Sequence, residues 1–215
     1  MTSADSTGQP PAYLRHYRRI IDTEGAGFEA TGWRNEQFQI DRFRVLTEMQ
    51  DVSGRIVVDA GAGRADLASY LLKQSIRYRR YIALEAMAEM SELIAERRLP
   101  DVSVHTVDFV SDADAFARCA PVDVVFFSGS LNTVEQPTAL STLDRAWGAA
   151  RESVVFNFLT NRCPPELANR DTGPARRFDP LALLDWALAR TPLVRFRQDY
   201  LGGHDATIAM FKADA

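Results

Sequence analysis

Cysteine is scarce in this chain of 215 residues: there are two, Cys119 and Cys163, and they lie far apart. That spacing builds neither a disulfide framework nor a zinc site, so we expect a reducing compartment. No apolar run reaches the roughly 18–20 residues that cross a bilayer. The polar residues 1–19 contain no apolar core of a signal peptide. The sequence therefore predicts a cytoplasmic protein that makes no membrane contact.

The chain also has no excess of positive charge: it contains 25 Lys and Arg and 29 Asp and Glu, for a net charge of -4. Proteins that bind nucleic acid through bulk electrostatics usually carry a surplus of cations, so a nucleic-acid partner is disfavoured. The three histidines and two cysteines do not pair at the spacing of metal ligands, so we predict no metal site. The sequence carries no signal for an oligomeric state.

The remaining composition is that of a globular domain, with strand and helix patterns in alternation. We predict a disordered tail at residues 1–11 and one domain over residues 12–215, with a helical cap at about residues 12–50. Five apolar stretches are typical of buried strands: RIVVDA, YRRYIALEA, VSVHTVDF, VDVVFFSGS and ESVVFNFL.

Helical patterns follow most of these strands, and LVRFRQDYLGGHDATIAMFK is typical of a terminal β-hairpin. Alternating strands and helices indicate a mostly parallel sheet. The fold class is therefore α/β: a Rossmann-like, seven-stranded, mostly parallel sheet with helices on both faces and an antiparallel C-terminal hairpin strand. Residues 160–177, rich in Pro, Asn, Arg and Asp, are expected to run over the active-site face.

The sharpest motif is VVDAGAGRAD, in which a buried strand ends at Asp59 and two glycines follow. Gly61 and Gly63 let the backbone turn tightly, and side chains there would obstruct a nucleoside or its attached amino acid. The alternative is a tight connection that binds no ligand.

The residues around these glycines narrow the choice of ligand. A dinucleotide fingerprint needs glycine or alanine at position 66, where this chain has Asp66, and a carboxylate there would repel a pyrophosphate. No G-K-[ST] follows, which excludes a P-loop. S-adenosylmethionine (SAM) has no phosphate and carries a sulfonium and an amino group, so acidic neighbours favour SAM as the cofactor.

Two further acids follow the second and third strands. Glu85 is placed to accept hydrogen bonds from both ribose hydroxyls, and Ala86 and Met87 are assigned to the same cofactor site. Asp108 is placed to accept the adenine amino group, with Phe109 on one face of the purine and Met87 on the other. The alternatives are a solvated Glu85 and an Asp108 that caps a helix or turn.

The series VVDAGAGRADL, YIALEAMAEM, VHTVDF and VDVVFFSGSLN resembles the motif order of class I SAM-dependent methyltransferases, from about Trp33 to the C-terminus. The family's first motif usually ends in glycine where this chain has Ala65, a mild departure. The resemblance implies SAM as cofactor, methyl transfer as the reaction and a hairpin-linked antiparallel last strand.

A narrower resemblance is to a group of small, poorly characterised bacterial methyltransferases. It rests on GWRNEQFQIDRF, VVFNFLT and GGHDATIAMF, although Asn35 and Phe38 stand where that group has serines. The resemblance implies that Gln39 and Arg42, on one helix face, approach the methionine carboxylate of the cofactor. The alternative for Arg42 is an ion pair with a neighbouring acid.

The acceptor side is less sharply defined. Ser128 follows the fourth strand and is assigned to the cofactor site, whereas Trp33, Asn132 and Asn157 are assigned to substrate binding. Asn157, in an apolar strand, could equally be a structural hydrogen-bonding residue. His204, beside an acid in the hairpin connection, is a candidate general base, with an exposed turn histidine as the alternative.

These residues predict an enzyme that transfers a methyl group from SAM to an oxygen or nitrogen of a small-molecule acceptor. A second possibility is a protein that binds SAM or S-adenosylhomocysteine (SAH) without catalysis. A nucleotide-dependent oxidoreductase is the third, and Asp66 disfavours it.

Overall fold

The structure is a computed structural model that describes residues 10–32 and 35–213. The predicted tail therefore lies almost wholly outside the described residues, as does Trp33. None of the helices in the described part of the chain has the length and apolar content that a bilayer crossing requires.

Within the described ranges, one mixed sheet of eight strands forms the centre of the molecule, in the order β3-β2-β1-β4-β5-β8-β7 with the short β6 beside β5. The strands are β1 (Ile56–Ala60), β2 (Arg80–Glu85), β3 (Val102–Thr106), β4 (Val122–Ser128), β5 (Ala150–Thr160), β6 (Arg177–Phe178), β7 (Val194–Arg197) and β8 (Asp205–Phe211). Strands β1 to β6 pair in parallel, and β8 is antiparallel to both β5 and β7. The predicted fold class is confirmed.

The central strands carry apolar side chains on both faces, which explains why helices cover both faces of the sheet. Val57 and Val58 are fully buried on opposite faces of β1 and belong to two separate clusters. A strand that is apolar at every position needs helices on both sides, which parallel crossovers supply.

The helices surround this sheet in two layers. They are α1 (Arg15–Glu24), α2 (Glu36–Met49), α3 (Asp66–Lys73), α4 (Ala88–Glu96), α5 (Gln136–Ala149), α6 (Pro165–Ala168) and α7 (Pro180–Leu188). Helices α2, α3 and α4 pack on the Val57 face, and α5 and α7 on the Val58 face. Asn35 caps α2 by accepting a hydrogen bond from the amide of Phe38, at 2.9 Å.

The N-terminal helix α1 packs against the start of α4. Leu14 and Ile21 of the α1 segment form a small cluster with Ala86, Met87 and Met90. This contact places α1 over the carboxyl ends of β1 and β2, where the predicted cofactor residues lie.

The C-terminal half contains two local features that the sequence prediction did not include. The segment over residues 160–177 contains the one-turn helix α6 and ends in β6, which pairs with Leu159 and Thr160. The connection between the two hairpin strands spans residues 198–204, with a 3-10 turn at Leu201–Gly203. Three successive residues there have φ between 48° and 79°, which explains the two glycines.

Candidate functional site

A cavity of about 710 Å³ lies at the carboxyl edge of the parallel strands. It opens between β1 and β4, where the strand order reverses, which is the usual ligand position in open α/β sheets. The wall is made by α1, α2, the loops after four strands, and part of the segment 160–177.

The loop after β1 brings bare backbone against the cavity. Gly61 has φ +80°, and a Cβ added to it would lie 2.5 Å from Cβ of Ser130. Gly63 has φ +57°, and a Cβ there would approach Thr31 at 3.2 Å. Both conformations favour glycine, so the two glycines are required by backbone shape as well as by space.

Glu85 lies beneath this loop and is 8% exposed. Its Oε2 accepts a hydrogen bond from the amide of Gly63 at 2.8 Å, and its Oε1 accepts one from the amide of Met87 at 2.9 Å. Burial raises the pKa of the Glu85 carboxyl, and the backbone donors oppose that rise. Each carboxylate oxygen has a further lone pair, so the side chain retains acceptor capacity toward the cavity.

Asp59, at the end of β1, is buried, and one of its carboxylate oxygens lacks a hydrogen-bond donor in the described chain. Its Oδ2 accepts a hydrogen bond from the hydroxyl of Tyr81, whereas Oδ1 has no hydrogen-bond partner among the described residues. Desolvation raises the pKa of Asp59 to about 7, and the charges of Glu85 and Asp66 act in the same direction. A buried acceptor that lines a cavity and lacks a donor is suited to a cationic ligand.

Asp108 is a further buried carboxylate in the wall, and it is held by side chains that the sequence did not connect to it. Tyr13 donates its hydroxyl to Oδ2 at 2.7 Å, and Ser111 donates to the same atom at 2.8 Å. The amide of Val110 donates to Oδ1 at 3.1 Å. Burial and the neighbouring Asp108 raise the pKa of Tyr13, so its proton stays in this bond.

Several predicted residues come together in this wall. Those that line the cavity are Gln39, Arg42, Asp59, Gly61, Gly63, Glu85, Ala86, Met87, Asp108, Phe109, Ser128, Asn132 and His204. The Oγ of Ser128 is buried without a hydrogen-bond partner in the described chain. Asn132 accepts a hydrogen bond from the amide of Leu159 at 3.2 Å, which ties the β4 loop to β5.

Asp66 is the first residue of α3, but its side chain makes its contacts away from the predicted cofactor site. It is not among the described residues of the cavity wall, because its carboxylate turns toward Arg97 at 2.8 Å and Arg64 at 3.3 Å. Gln39 donates to its other oxygen at 3.5 Å. The two guanidinium groups beside Asp66 therefore offset the repulsion that its carboxylate would exert on a phosphate.

Asn157, predicted either to bind substrate or to form a structural hydrogen bond, also lies away from the cavity wall. It lies within β5, is fully buried, and is not among the described residues that line the cavity. The sheet register sets it between Ser128 of β4 and Thr207 of β8. Its two amide atoms have no partners in the described chain, so neither the substrate role nor a structural hydrogen bond is observed.

Arg42 adopts the alternative that the sequence left open, an ion pair. Its Nε and Nη2 donate to the two oxygens of Asp205 at 2.7 and 2.9 Å, and Nη1 donates to the carbonyl of Phe38 at 3.0 Å. The side chains are 6% and 1% exposed. Because this bidentate pair occupies the guanidinium, we expect Arg42 to hold α2 against β8 in the cavity wall. We do not expect it to bind the cofactor carboxylate.

His204 lies in the wall with both ring nitrogens facing charged groups. Its Nδ1 is 3.2 Å from Oδ2 of Asp205, which is electrostatic contact without hydrogen-bond geometry. Its Nε2 is 3.3 Å from Nη2 of Arg177. Because a guanidinium only donates, Nε2 must accept this bond, and it is not free to take a proton from an acceptor. The predicted general base is therefore not supported by this geometry.

The residues that sequence analysis missed come mainly from the cap. Tyr13, His16 and Tyr17 of the α1 segment line the cavity, as does Phe38 where the narrower resemblance expected serine. The sequence of residues 13–17 is rich in aromatic side chains, but nothing in it indicates that Tyr13 contacts Asp108, 95 positions away. Residues 170–175 also line the cavity, as predicted for the segment 160–177.

No protein-family model matches the sequence, and no curated protein does. Solved structures match it closely in shape. An O-methyltransferase family protein from Burkholderia thailandensis has a TM-score of 0.72 at 15% identity, with 94% of this chain covered and 64% of that one.

Magnesium protoporphyrin IX methyltransferase from Synechocystis PCC 6803, with bound SAH, has a TM-score of 0.66 at 13% identity. That match covers 97% of this chain and 95% of the other. A SAM-dependent methyltransferase from Archaeoglobus fulgidus has a TM-score of 0.64 at 14% identity, covering 92% and 99%. The strand order is consistent with these similarities, and so is the cavity between β1 and β4, where that order reverses. The similarities show that the chain has the fold of the class I SAM-dependent methyltransferases.

Proposed function

We propose that this protein is an enzyme that uses SAM to methylate an oxygen or nitrogen of a small-molecule acceptor. The observation that carries the proposal is the set of three buried carboxylates, Asp59, Glu85 and Asp108, around Gly61 and Gly63 in the cavity wall. SAM carries a sulfonium and an ammonium and no phosphate, so it matches this acidic wall. A dinucleotide would bring its pyrophosphate against the same carboxylates.

Each carboxylate suits a different part of the cofactor. Glu85 is held by two backbone amides and has lone pairs left for the ribose hydroxyls. Asp108, fixed by Tyr13, is assigned to the adenine amino group, with Phe109 and Met87 on the two faces of the purine. The unpartnered Oδ1 of Asp59 is assigned to the cofactor ammonium.

When bound, SAM supplies a methyl group on a sulfonium, which is already an activated leaving group. The protein then has to align the acceptor and exclude water. The α1 segment and residues 170–175 both form parts of the cavity wall, so they are suited to exclude water. Asn132, tied to β5, is assigned to acceptor positioning on the same wall.

Replacing Glu85 by Ala tests the cofactor site. Loss of two ribose hydrogen bonds should weaken SAH binding by about 1–3 kcal/mol, measured by calorimetric titration. Glu92, an exposed glutamate of α4, provides the control, and Glu92→Ala should bind SAH as the unmodified protein does. Equal affinities of both variants would remove Glu85 from the site, and tighter binding of NAD than of SAH would contradict the cofactor assignment.

The pKa of Asp59 gives a pH test. A cofactor ammonium favours the ionised carboxylate, so SAH affinity should rise as the pH passes upward through about 7. In the free protein the sign is opposite: the stability contribution of a raised pKa is present at low pH and is lost as the pH rises through about 7.

In calorimetric titrations we expect SAH to bind about five- to tenfold more tightly at pH 8 than at pH 6. One pH unit below its pKa, only about a tenth of the Asp59 carboxyl is ionised. Asp59→Asn keeps an acceptor for Tyr81 but removes the titration, so its affinity should be weak and nearly independent of pH. The same pH dependence in this variant would show that another group is responsible.

A protein that binds SAM without catalysis is the second candidate, and the engaged Nε2 of His204 favours it. Incubation with methyl-labelled SAM and a broad panel of small acceptors separates the two. Methylated product supports the enzyme, whereas tight SAM binding with no turnover across the panel supports the binding protein.

A further inference from the structure

The N-terminal segment, residues 10–32, forms part of the cavity wall. Tyr13 and Leu14 line the cavity ahead of α1, His16 and Tyr17 line it from within α1, and Thr31 lines it beyond α1. The loops after β1, β2 and β3 form other parts of the same wall. A ligand that fills the cavity therefore contacts both the N-terminal segment and these loops.

Polar and aromatic contacts join the N-terminal segment to two of the three loops. Tyr13 donates its hydroxyl to the carboxylate of Asp108, after β3, at 2.7 Å. The guanidinium of Arg64, after β1, lies 5.6 Å from the centroid of the Phe28 ring, within the range of a cation–π contact. The segment therefore rests on parts of the chain that also form the predicted cofactor site.

The remaining contacts of the N-terminal segment are modest in strength. Arg18 pairs with Glu89 of α4 at 2.9 Å, but the side chains are 30% and 42% exposed, so the pair contributes little to stability. Leu14 and Ile21 bury their side chains in a small cluster that is distinct from the two clusters of the sheet. A segment held in this way can open without exposing the main core, so its opening costs less than global unfolding.

Two residues assigned to the cofactor also contact this segment. Met87, placed on one face of the purine, shares the small cluster with Leu14 and Ile21. Asp108, placed at the adenine amino group, accepts the hydroxyl of Tyr13. A cofactor bound at these residues adjoins the N-terminal segment and favours the closed arrangement. By linkage, a ligand that binds the closed form more tightly reduces the population of the open form.

We propose that the N-terminal segment is a lid that opens for the cofactor to enter and leave, and that the hydrogen bond between Tyr13 and Asp108 holds it closed. This inference rests on the proposed function and adds how its cofactor site is opened. With the lid closed, the cofactor is held between the segment and the strand loops, so it dissociates slowly. When the lid opens, Tyr13 leaves Asp108 and the cofactor exchanges with solvent.

Hydrogen exchange of the full chain, followed by mass spectrometry with and without saturating SAH, tests the lid. Without SAH, amides of α1 should exchange at least about a hundredfold faster than those of the central strand β4, because lid opening leaves the core folded. SAH at about a hundred times its Kd should slow α1 at least about tenfold, and by a larger factor than α7, which lies outside the described cavity wall. The lid is refuted if α1 exchanges as slowly as β4 without SAH, or if SAH slows α1 no more than α7.

A substitution at Tyr13 tests the hydrogen bond that closes the lid. Tyr13→Phe keeps the ring, and its α1 amides should exchange about tenfold faster in the free protein. Tritium-labelled SAH, chased with unlabelled SAH, should dissociate from this variant about tenfold faster. Tyr70→Phe, on α3 outside the described cavity wall, is the matched control and should change neither rate. Weaker SAH binding with unchanged α1 exchange would show that Tyr13 acts only on the shape of the site, and would overturn its role in closing the lid.

The lid and the proposed function fail in different measurements. SAH affinity of the unmodified protein is measured by calorimetry, and absence of binding would refute the proposed function. SAH binding that leaves the exchange of α1 unchanged would refute the lid alone.

Discussion

Replacing Arg42 by Met should lower the free energy of unfolding by about 3–5 kcal/mol, the usual effect of removing one member of a buried ion pair. The change leaves the carboxylate of Asp205, 1% exposed, without its two guanidinium donors. Equilibrium unfolding in urea measures the difference, since the midpoint falls while the slope stays constant.

Two further variants serve as controls: one removes an exposed ion pair, and the other removes the unpaired charge that Arg42→Met leaves. Arg44 pairs with Glu48 at 2.9 Å one turn apart on the exposed face of α2, and Arg44→Met should cost no more than about 1 kcal/mol. Adding Asp205→Asn to Arg42→Met removes the unpaired charge and should restore part of the loss. If Arg42→Met costs no more than Arg44→Met, the pair between α2 and β8 is not the buried contact described above.

The second large effect concerns Gly61. An alanine there would place its Cβ 2.5 Å from Cβ of Ser130, on a backbone with φ +80°. The β1 loop must shift to accept it, so we expect SAH affinity to fall by about a hundredfold and stability to fall by about 1–3 kcal/mol. Calorimetric titration and thermal unfolding of Gly61→Ala measure the two quantities.

Gly148 is the matched control for that substitution. It lies in α5, where an added Cβ meets no atom within 4 Å and the φ is not positive. Gly148→Ala should therefore leave SAH binding unchanged and increase stability by up to about 1 kcal/mol through helix propensity. A Gly61→Ala variant that binds SAH as well as Gly148→Ala does would show that the β1 loop is not a cofactor cradle.

The parallel core of the sheet could be predicted because strands β1 to β5 are each marked by composition alone. Runs such as VVFF in β4 are apolar on both faces, and Asp59, Glu85 and Asp108 stand where such runs end. Parallel strands place those ends at one edge, so three predicted cofactor residues converge in the structure as expected from topology.

Contacts between distant segments could not be predicted. Arg42 and Asp205 are 163 positions apart, and Tyr13 and Asp108 are 95 apart. Nothing in either local pattern selects the partner. The contact of Asp66 with Arg97, at the end of α4, could not be predicted for the same reason. The two-residue β6 is too short for any periodic signal.

The most direct test of the cofactor site is a crystal structure of the protein with SAH. We expect ribose hydroxyls within hydrogen-bond distance of Glu85, the purine beside Phe109, and the amino-acid arm crossing Gly61 and Gly63 toward Asp59. Density for SAH outside this cavity, or a cavity filled by the protein's own side chains at saturating SAH, would contradict the assignment.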